Sequence, residues 1–217
     1  MNPALSVEQL LSAYGIGIFP MADTRRSRGF YWVKPEWRGI IPLNGFHIPR
    51  RLKSLLKQQP FDIFCNRDFA GVIRACAAPT PKRPETWINK VIEKAYQQLY
   101  QAGHAYSVEC WQNGQLVGGV YGVSLGSAFF GESMFSLVPN SSKVALCHLA
   151  LRLRLGGYSL FDTQFLTNHL KQFGGIEIAQ AAYLKLLSES LQKTAQFPYF
   201  VTGAELWGWV QSINQKS

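Results

Sequence analysis

Three polar residues lie where they could take part in chemistry. Glu132 sits inside the run FFGESMFS at residues 129–136, which is otherwise rich in aromatic and sulfur-bearing side chains. A carboxylate in such surroundings is costly unless it is paired, which favours a functional role, although an exposed strand edge would also explain it. Asp162 and Gln164 are two residues apart in a segment with strand character, so we expect both side chains on one face.

A second pattern is GVSLG at residues 122–126, which matches the GxSxG nucleophile elbow. Asp162 and His169 follow it in the chain order of an α/β-hydrolase triad. The elbow requires a strand that turns sharply into a helix, whereas residues 127–130 continue as a strand. We therefore interpret the match as a coincidence and its glycines as turn residues.

The order of the predicted elements also fits an acyl-coenzyme A-dependent N-acetyltransferase. Such an enzyme needs a Gly-rich pyrophosphate loop before the helix that follows its central strands. In this chain residues 139–143 (PNSSK) occupy that place and include no glycine that would let backbone amides wrap the ligand. The order of the elements therefore favours the N-acetyltransferase fold, but this loop does not favour coenzyme A as a ligand.

The formal charge of +9 is concentrated in one part of the chain. Residues 25–94 contain 15 Lys/Arg and 5 Asp/Glu, whereas residues 95–217 contain 7 and 6. A local basic excess suits a polyanionic partner, because neutralised phosphates release counterions, although a solvated basic surface explains it equally well. The helix that follows Pro49 is the leading candidate for phosphate contacts, through Arg50, Arg51, Lys53 and Lys57.

Metal and membrane functions have no support in the sequence. The four cysteines form no CxxC pair, and the four histidines form no HExxH cluster, so we expect no metal site and reduced thiols. The N-terminus lacks a basic segment followed by an apolar one, and no apolar run approaches the ~20 residues that span a bilayer. We expect a soluble, cytoplasmic protein.

The predicted elements follow the order of an α+β protein. We expect a small N-terminal domain over residues 1–40, which begins with the capping box of Ser6 and Gln9, and a larger domain over residues 41–217. Helices are predicted at residues 6–14, 49–58, 68–76, 88–103, 142–155, 167–173 and 181–193, the last of these being the final helix. Strands are predicted at residues 29–33, 38–43, 61–65, 105–112, 115–123 and 158–164, with residues 127–135 forming a strand pair bent near Gly131.

Eight short blocks resemble, in order, the signature of leucyl/phenylalanyl-tRNA-protein transferases. They are GIFP at residues 17–20, Trp32, TWI at 86–88, GHA at 103–105 with SVE at 107–109, LVGGVYG at 116–122, FGESMFS at 130–136, SK at 142–143 and DTQ at 162–164. The resemblance covers roughly residues 6–190. Eight blocks in one order are more specific than any single motif, and GESMFS with the D-x-Q strand is close to diagnostic.

The resemblance implies a fold and an activity. It implies a small N-terminal domain followed by an N-acetyltransferase-like (GNAT-like) domain with a mainly antiparallel central sheet. The implied reaction moves Leu, Phe or Met from aminoacyl-tRNA to proteins that begin with Arg or Lys, which marks them for degradation by the N-degron pathway. Because the aminoacyl ester is already activated, we expect no cofactor. We also expect a monomer with no membrane partner.

The resemblance also implies binding residues. The apolar pocket for the aminoacyl side chain corresponds here to Val120, Phe129, Leu149, Leu153 and Phe161, which would otherwise be interpreted simply as core. Trp87 matches a tryptophan that packs near the terminal adenosine, whereas Met21 stands where the family has a second tryptophan. The basic helix with Arg50, Arg51, Lys53 and Lys57 corresponds to a region that suits the tRNA acceptor stem.

Catalytic roles follow from the same resemblance. We expect Asp162 to orient Gln164, whose amide oxygen accepts a hydrogen bond from the attacking amine. Glu132 is expected either to hold the cationic side chain of the acceptor or to order the same site, and both roles stay open.

Three other classes remain as alternatives. An RNA-binding module without chemistry would explain the basic third of the chain but not Glu132, Asp162 and Gln164. A peptidoglycan-bridge aminoacyltransferase shares the donor, although such proteins are usually longer. A transferase that moves Leu onto N-terminal Asp or Glu has motifs that differ from GESMFS. Acceptor specificity separates these classes.

Overall fold

Residues 5–81 and 83–214, which the computed structural model describes, form helices packed on both faces of a large sheet. The helices are α1 (Val7–Gly15), α2 (Arg50–Gln58), α3 (Phe69–Ala77), α4 (Lys90–Gln101), α5 (Ser141–Leu155), α6 (Asn168–Lys171), α7 (Gln180–Leu191) and α8 (Gly203–Asn214). The strands are β1 (Phe19–Met21), β2 (Tyr31–Val33), β3 (Trp37–Ile40), β4 (Asp62–Cys65), β5 (Ala105–Gln112), β6 (Gln115–Leu125), β7 (Ala128–Ser136), β8 (Leu160–Gln164) and β9 (Ile176–Ala179). None of the described helices is long and apolar enough to cross a membrane.

Local side-chain caps mark the starts of α1, α3 and α4, and the sequence analysis predicts the first of them. In α1 the side chain of Ser6 accepts from the backbone of Gln9, whose own side chain accepts from the backbone of Ser6. The side chains of Asp68 and Asn89 accept from backbone amides in the first turns of α3 and α4. These caps satisfy amides that lack partners within the helix.

The large sheet has seven strands in the order β4-β5-β6-β7-β8-β3-β9. Neighbouring strands are antiparallel except for β7 and β8, which run parallel and are joined through α5. The α+β class is therefore confirmed, while the sheet itself is mixed. A separate pair, β1 and β2, forms a small antiparallel ribbon.

The sheet separates two hydrophobic cores because successive side chains on a strand point to opposite faces. One core, here called the α5 layer, includes Phe129 and Phe161 and is covered by α2, α5 and α8. The other, here called the α4 layer, includes Phe130 and Leu160 and is covered by α1, α3, α4 and α7.

The N-terminal segment is joined to the rest of the protein through both the sheet and a core. β3 lies inside the seven-stranded sheet, between β8 and β9. Leu10 and Tyr14 of α1 are buried in the α4 layer, where the Tyr14 ring lies 4.7 Å from the Phe130 ring. The domain boundary near residue 40 stays a prediction, and the outer limits at residues 1 and 217 lie outside the described residues.

Two expectations about the elements are wrong. Residues 127–135 do not form a strand pair, since β7 is one strand that bends at a β-bulge after Gly131. The helix predicted at residues 181–193 is not the last one, since α8 follows it. The sequence analysis also missed β1 and β9, which are short edge or ribbon strands with little periodicity.

Candidate active site

A β-bulge places Glu132. In the β6–β7 pairing Gly122 is opposite Gly131 and Tyr121 is opposite Ser133, so Glu132 is the extra residue without a partner on β6. Bulges bend a strand and redirect one side chain, and they are frequent beside active sites. The carboxylate of Glu132 is thereby aimed at the aromatic side chains of α1 and α4.

Three side chains from distant parts of the chain donate to Glu132. The hydroxyl of Tyr14 donates to Oε1 at 2.6 Å, the hydroxyl of Tyr96 donates to Oε2 at 2.8 Å, and the amide nitrogen of Gln164 donates to Oε1 at 2.8 Å. The two tyrosine hydroxyls are also within hydrogen-bond distance of each other. The carboxylate is thus fixed by α1, α4 and the end of β8 together.

Opposing effects act on the carboxyl of Glu132. Burial raises its pKa to about 7, which the hydrogen bonds from Tyr14, Gln164 and Tyr96 oppose and the charge of Asp162 reinforces. The three donors stabilise the ionised form, whereas burial stabilises the protonated form. The site therefore holds a carboxyl that can gain or lose a proton near neutral pH.

Asp162 is bound in a buried ion pair. Arg38 Nε lies 2.9 Å from Oδ1 and Arg38 Nη2 lies 2.7 Å from Oδ2, while the hydroxyl of Tyr183 donates to Oδ2 at 2.7 Å. The Arg38 guanidinium is packed between the rings of Phe19 and Tyr183 and also donates to the carbonyl of Gly17. A charge with this many partners can be buried without neutralisation.

The same carboxylate holds the backbone of Gln164. Asp162 Oδ1 accepts from the backbone amide of Gln164 at 2.7 Å, and Gln164 has a left-handed backbone with φ of 63°. Such a conformation costs of order 1 kcal/mol or more in a residue with a side chain. Opposite it, Gly39 leaves space for the chain after Gln164, because a Cβ there would lie 2.7 Å from the amide nitrogen of Leu166. These contacts therefore fix the backbone position from which the Gln164 side chain extends.

Two adjoining cavities open where the parallel strands separate. The β7–β8 pairing ends at Phe130 and Asp162, and beyond it the strands part. An inner cavity of about 60 Å³ and an outer cavity of about 290 Å³ share five lining residues, which are Glu132, Ser133, Met134, Thr163 and Leu170. Gln164 lines the outer cavity, so the polar cluster lies at the junction of the two.

The binding residues named from the sequence lie in two places. Val120 and Phe161 line the inner cavity, and the half-buried Met21 and Trp87 line the outer one. The remaining three, Phe129, Leu149 and Leu153, are fully buried in the α5 layer and line neither cavity.

The basic helix α2 lies apart from these cavities. Leu52 and Leu56 bury one face of α2 in the α5 layer, which leaves Arg50, Arg51 and Lys57 exposed. Lys53 is half-buried, and the Lys57 ammonium lies 5.6 Å from the ring of Trp207. None of the four cations lines a cavity that contains Glu132.

The hydrolase pattern does not form a site. Ser124 lies near the end of β6, which continues into the hairpin with β7 rather than into a helix. Its hydroxyl lies 2.8 Å from the hydroxyl of Tyr158. Asp162 is bound to Arg38, as described above. His169 lines the outer cavity, where burial and Lys143 lower the pKa of its imidazole. Among the described residues no group of three or more His, Cys, Asp or Glu could hold a metal ion.

Sequence reasoning missed four residues that hold the site, which are Tyr14, Arg38, Tyr96 and Tyr183. The tyrosines lie on the apolar faces of predicted helices, where they resemble ordinary core residues. Arg38 is 124 residues from Asp162 along the chain, and no local pattern links the two.

The α+β fold places a protonatable carboxyl and a positioned amide at the mouth of an apolar cavity, and comparison with known proteins assigns the chain to a class of transferases. The chain belongs to the leucyl/phenylalanyl-tRNA protein transferase family. The family model with that description matches residues 40–188, and the model of the family's N-terminal domain matches residues 4–36.

Curated relatives with the same family name match this chain over nearly their whole length. The leucyl/phenylalanyl-tRNA–protein transferase of Paramagnetospirillum magneticum is 53% identical over 197 residues, which cover 91% of this chain and 94% of the relative. The protein of that name from Maricaulis maris is 51% identical over 97% of both chains. The Caulobacter vibrioides protein is 48% identical over 100% of both chains.

The Arg38–Asp162 pair should contribute strongly to stability. We expect Arg38→Met to lower the free energy of unfolding by about 3–5 kcal/mol, because it leaves a buried carboxylate without its cation. Arg38→Met combined with Asp162→Asn should recover part of that loss. Urea denaturation measures both, with Arg28→Met at an exposed arginine as the control. Equal stability of the Arg38 and Arg28 variants would contradict this prediction.

Glu132 should titrate near neutral pH. Because the pKa of its carboxyl is raised from 4.5 to about 7 in the folded protein, the folded state binds the proton more tightly. The contribution to stability is therefore complete below about pH 4.5 and is lost as the pH rises to about 7. The ¹³C shift of the Glu132 carboxyl gives the midpoint, with exposed Glu8, whose pKa is lowered, as an internal reference. A Glu132 midpoint near 4.5 would contradict this prediction.

Proposed function

We propose that this protein transfers Leu, Phe or Met from aminoacyl-tRNA to the N-terminal Arg or Lys of acceptor proteins, marking them for degradation by the N-degron pathway. Family membership supports aminoacyl transfer from tRNA to protein. The observation that carries the assignment is the position of Glu132 and Gln164 at the junction of an apolar cavity and an aromatic-lined one.

The aminoacyl side chain enters the inner cavity. Val120, Leu146, Phe161 and Leu170 give it apolar walls, and the unbranched side chain of Met134 can adapt to different occupants. Such a site gains only about 0.8 kcal/mol per buried methylene, so it tolerates several apolar side chains and excludes charged ones. Phe129, Leu149 and Leu153 support these walls from the α5 layer.

The outer cavity takes the terminal adenosine of the tRNA. Trp87 offers a ring for stacking, which contributes about 1–3 kcal/mol per base. Met21 lines the same cavity and is held near Trp87 by the hydrogen bond from the Ala22 amide to the Trp87 carbonyl. Because Met21 supplies a thioether rather than a second ring, stacking depends mainly on Trp87. The exposed Arg50, Arg51 and Lys57, with Lys53, contact phosphates of the acceptor stem.

The chemical step is aminolysis of the aminoacyl ester. The neutral α-amine of the acceptor attacks the ester carbonyl, a C–N bond forms, and the C–O bond to the tRNA ribose breaks. One proton leaves the amine nitrogen and one proton is gained by the ribose oxygen, so no further reactant is needed. At pH 7 an α-amine is already neutral in roughly a tenth of molecules, so positioning supplies much of the rate.

Gln164 and Glu132 divide the positioning between them. The amide nitrogen of Gln164 donates to Glu132, which leaves its amide oxygen free to accept from the attacking amine. Asp162 fixes the backbone from which that side chain extends. With a pKa of about 7, Glu132 can accept the amine proton in its ionised form and return it towards the ribose oxygen.

The proposal includes the organisation of the chain. The catalytic domain over residues 41–217 is GNAT-like, and the parting of the parallel strands β7 and β8 beside the cavities supports this. The small N-terminal domain over residues 1–40 is supported by the two family models, which meet between residues 36 and 40. The protein acts as a cytoplasmic monomer.

Acceptor specificity tests the function. We expect the purified protein to move label from Leu-tRNA or Phe-tRNA onto peptides with N-terminal Arg or Lys, and not onto matched peptides with N-terminal Asp or Ala. The measurement is peptide-bound radioactivity after base treatment that hydrolyses any remaining ester.

Other outcomes identify the alternatives. Transfer to the Asp peptide alone would assign the related transferase that modifies acidic N-termini. Binding of aminoacyl-tRNA without any transfer would favour an RNA-binding module, and the proposal would fail.

The two polar residues should affect turnover rather than acceptor binding. We expect Gln164→Ala and Glu132→Gln each to lower kcat by about 10²-fold, the lower range for a positioned acid–base or hydrogen-bonding group, with little change in the KM of the Arg peptide. Steady-state kinetics measures both, with Gln172→Ala at an exposed glutamine as the control. A raised KM with normal kcat in Glu132→Gln would show instead that Glu132 binds the acceptor's cation.

A further inference from the structure

A third cavity lies among α2, β4, α5 and the start of α8. It has a volume of about 250 Å³, and none of its residues lines the cavities beside Glu132. Both polar and apolar groups form its walls, and its polar side chains are Gln59, Asp62 and His148. The proposed transfer reaction makes no use of this space.

A buried cation lies behind the cavity wall, since Arg152 does not itself line the cavity but contacts His148, which does. Arg152 follows His148 by one turn of α5 and is only 2% exposed, yet it forms no ion pair with any described residue. Its Nη1 lies 3.1 Å from the His148 carbonyl and 3.4 Å from the imidazole Nδ1, and its Nε has no hydrogen-bond partner. A buried charge without a nearby counter-ion is strongly unfavourable, so an anion beside His148 would stabilise Arg152.

The acidic groups in this region are held by other partners. The carboxylate of Glu109 accepts from the backbone amide of Asp68 and from the side chains of Ser107 and Trp111. The carboxylate of Glu205 accepts from the backbone and side chain of Thr202, which lowers its pKa, and the charge of Arg152 lowers that pKa further from beyond ion-pair distance. Burial raises the pKa of the Cys65 thiol even though the Arg152 guanidinium hydrogen-bonds to it. No carboxylate among the described residues therefore lies within ion-pair distance of Arg152.

His148 connects Arg152 to the cavity and provides a hydrogen-bond donor there. Burial and the charge of Arg152 lower the pKa of its imidazole to about 3, so the ring is neutral at pH 7. Because Nδ1 accepts from Arg152, the ring proton is assigned to Nε2, which makes no hydrogen bond with the described residues. The cavity wall thus presents the Nε2–H donor of His148, and the positive charge of Arg152 lies directly behind it.

We propose that this cavity binds a small monocarboxylate with an apolar body. The carboxylate accepts from His148 and neutralises Arg152, while the apolar body contacts Leu56, Phe61 and Val144. The exposed Asp62 on the same wall disfavours ligands with more than one negative charge, which selects a carboxylate over a phosphate.

Isovalerate is a suitable probe, since it joins one carboxylate to a branched apolar chain. We expect saturable binding to the full chain by calorimetry at pH 7.5, together with a rise in Tm. The neutral isovaleramide and inorganic phosphate should give neither signal.

Matched variants locate the site. Arg152→Met should weaken isovalerate binding at least tenfold without lowering the Tm of the free protein, because it removes an unpaired buried cation. Arg154→Met, at an exposed arginine on the same helix, should bind as the unmodified protein does. Val201→Phe narrows the cavity without touching Arg152 and should also abolish binding.

Several results would overturn the proposal. They are no saturable isovalerate binding to the unmodified protein, binding of phosphate instead, or undiminished binding to Arg152→Met. If Arg152→Met does not fold, Val201→Phe tests the proposal on its own. Undiminished isovalerate binding to Val201→Phe would then show that the ligand does not occupy this cavity.

Discussion

The buried contact between Arg38 and Asp162 joins more of this protein than any other single interaction described above. Arg38 belongs to β3 and Asp162 to β8, and the guanidinium also reaches the carbonyl of Gly17 after α1 and the ring of Tyr183 in α7. Both charges are almost fully buried, so each needs the other, and the elements that carry them cannot shift independently. The backbone of Gln164 is fixed as a direct result.

Around that anchor, the site arises from interruptions of regular sheet structure. β7 and β8 pair in parallel for three residues and then separate, which opens space that a continuous sheet would fill with its own hydrogen bonds. Glu132 is an extra residue in a bulge on β7, and Gln164 takes a left-handed backbone at the end of β8. Such departures are costly, and here they present a carboxyl and an amide to the same cavity.

The two faces of the sheet carry different chemistry. On the α4 layer, Tyr14, Tyr96 and Glu132 hydrogen-bond to one another, and burial raises the pKa of Glu132 to about 7. On the α5 layer, Arg152 is buried without a described carboxylate in ion-pair distance. A hydrogen-bonded carboxyl suits positioning, whereas a buried charge without an ion pair favours a ligand, and this difference underlies the two separate proposals.

The sequence alone determined the family, the α+β class and most helices and strands, because caps and the ordered motif blocks act over a few residues. It also singled out Glu132, Asp162 and Gln164, whose catalytic roles stay predictions. Only the tertiary structure decided what holds them, since Tyr14 and Tyr96 are 82 residues apart and Arg38 is 124 residues from Asp162. Packing makes such contacts, and local periodicity carries no information about which distant side chains will meet.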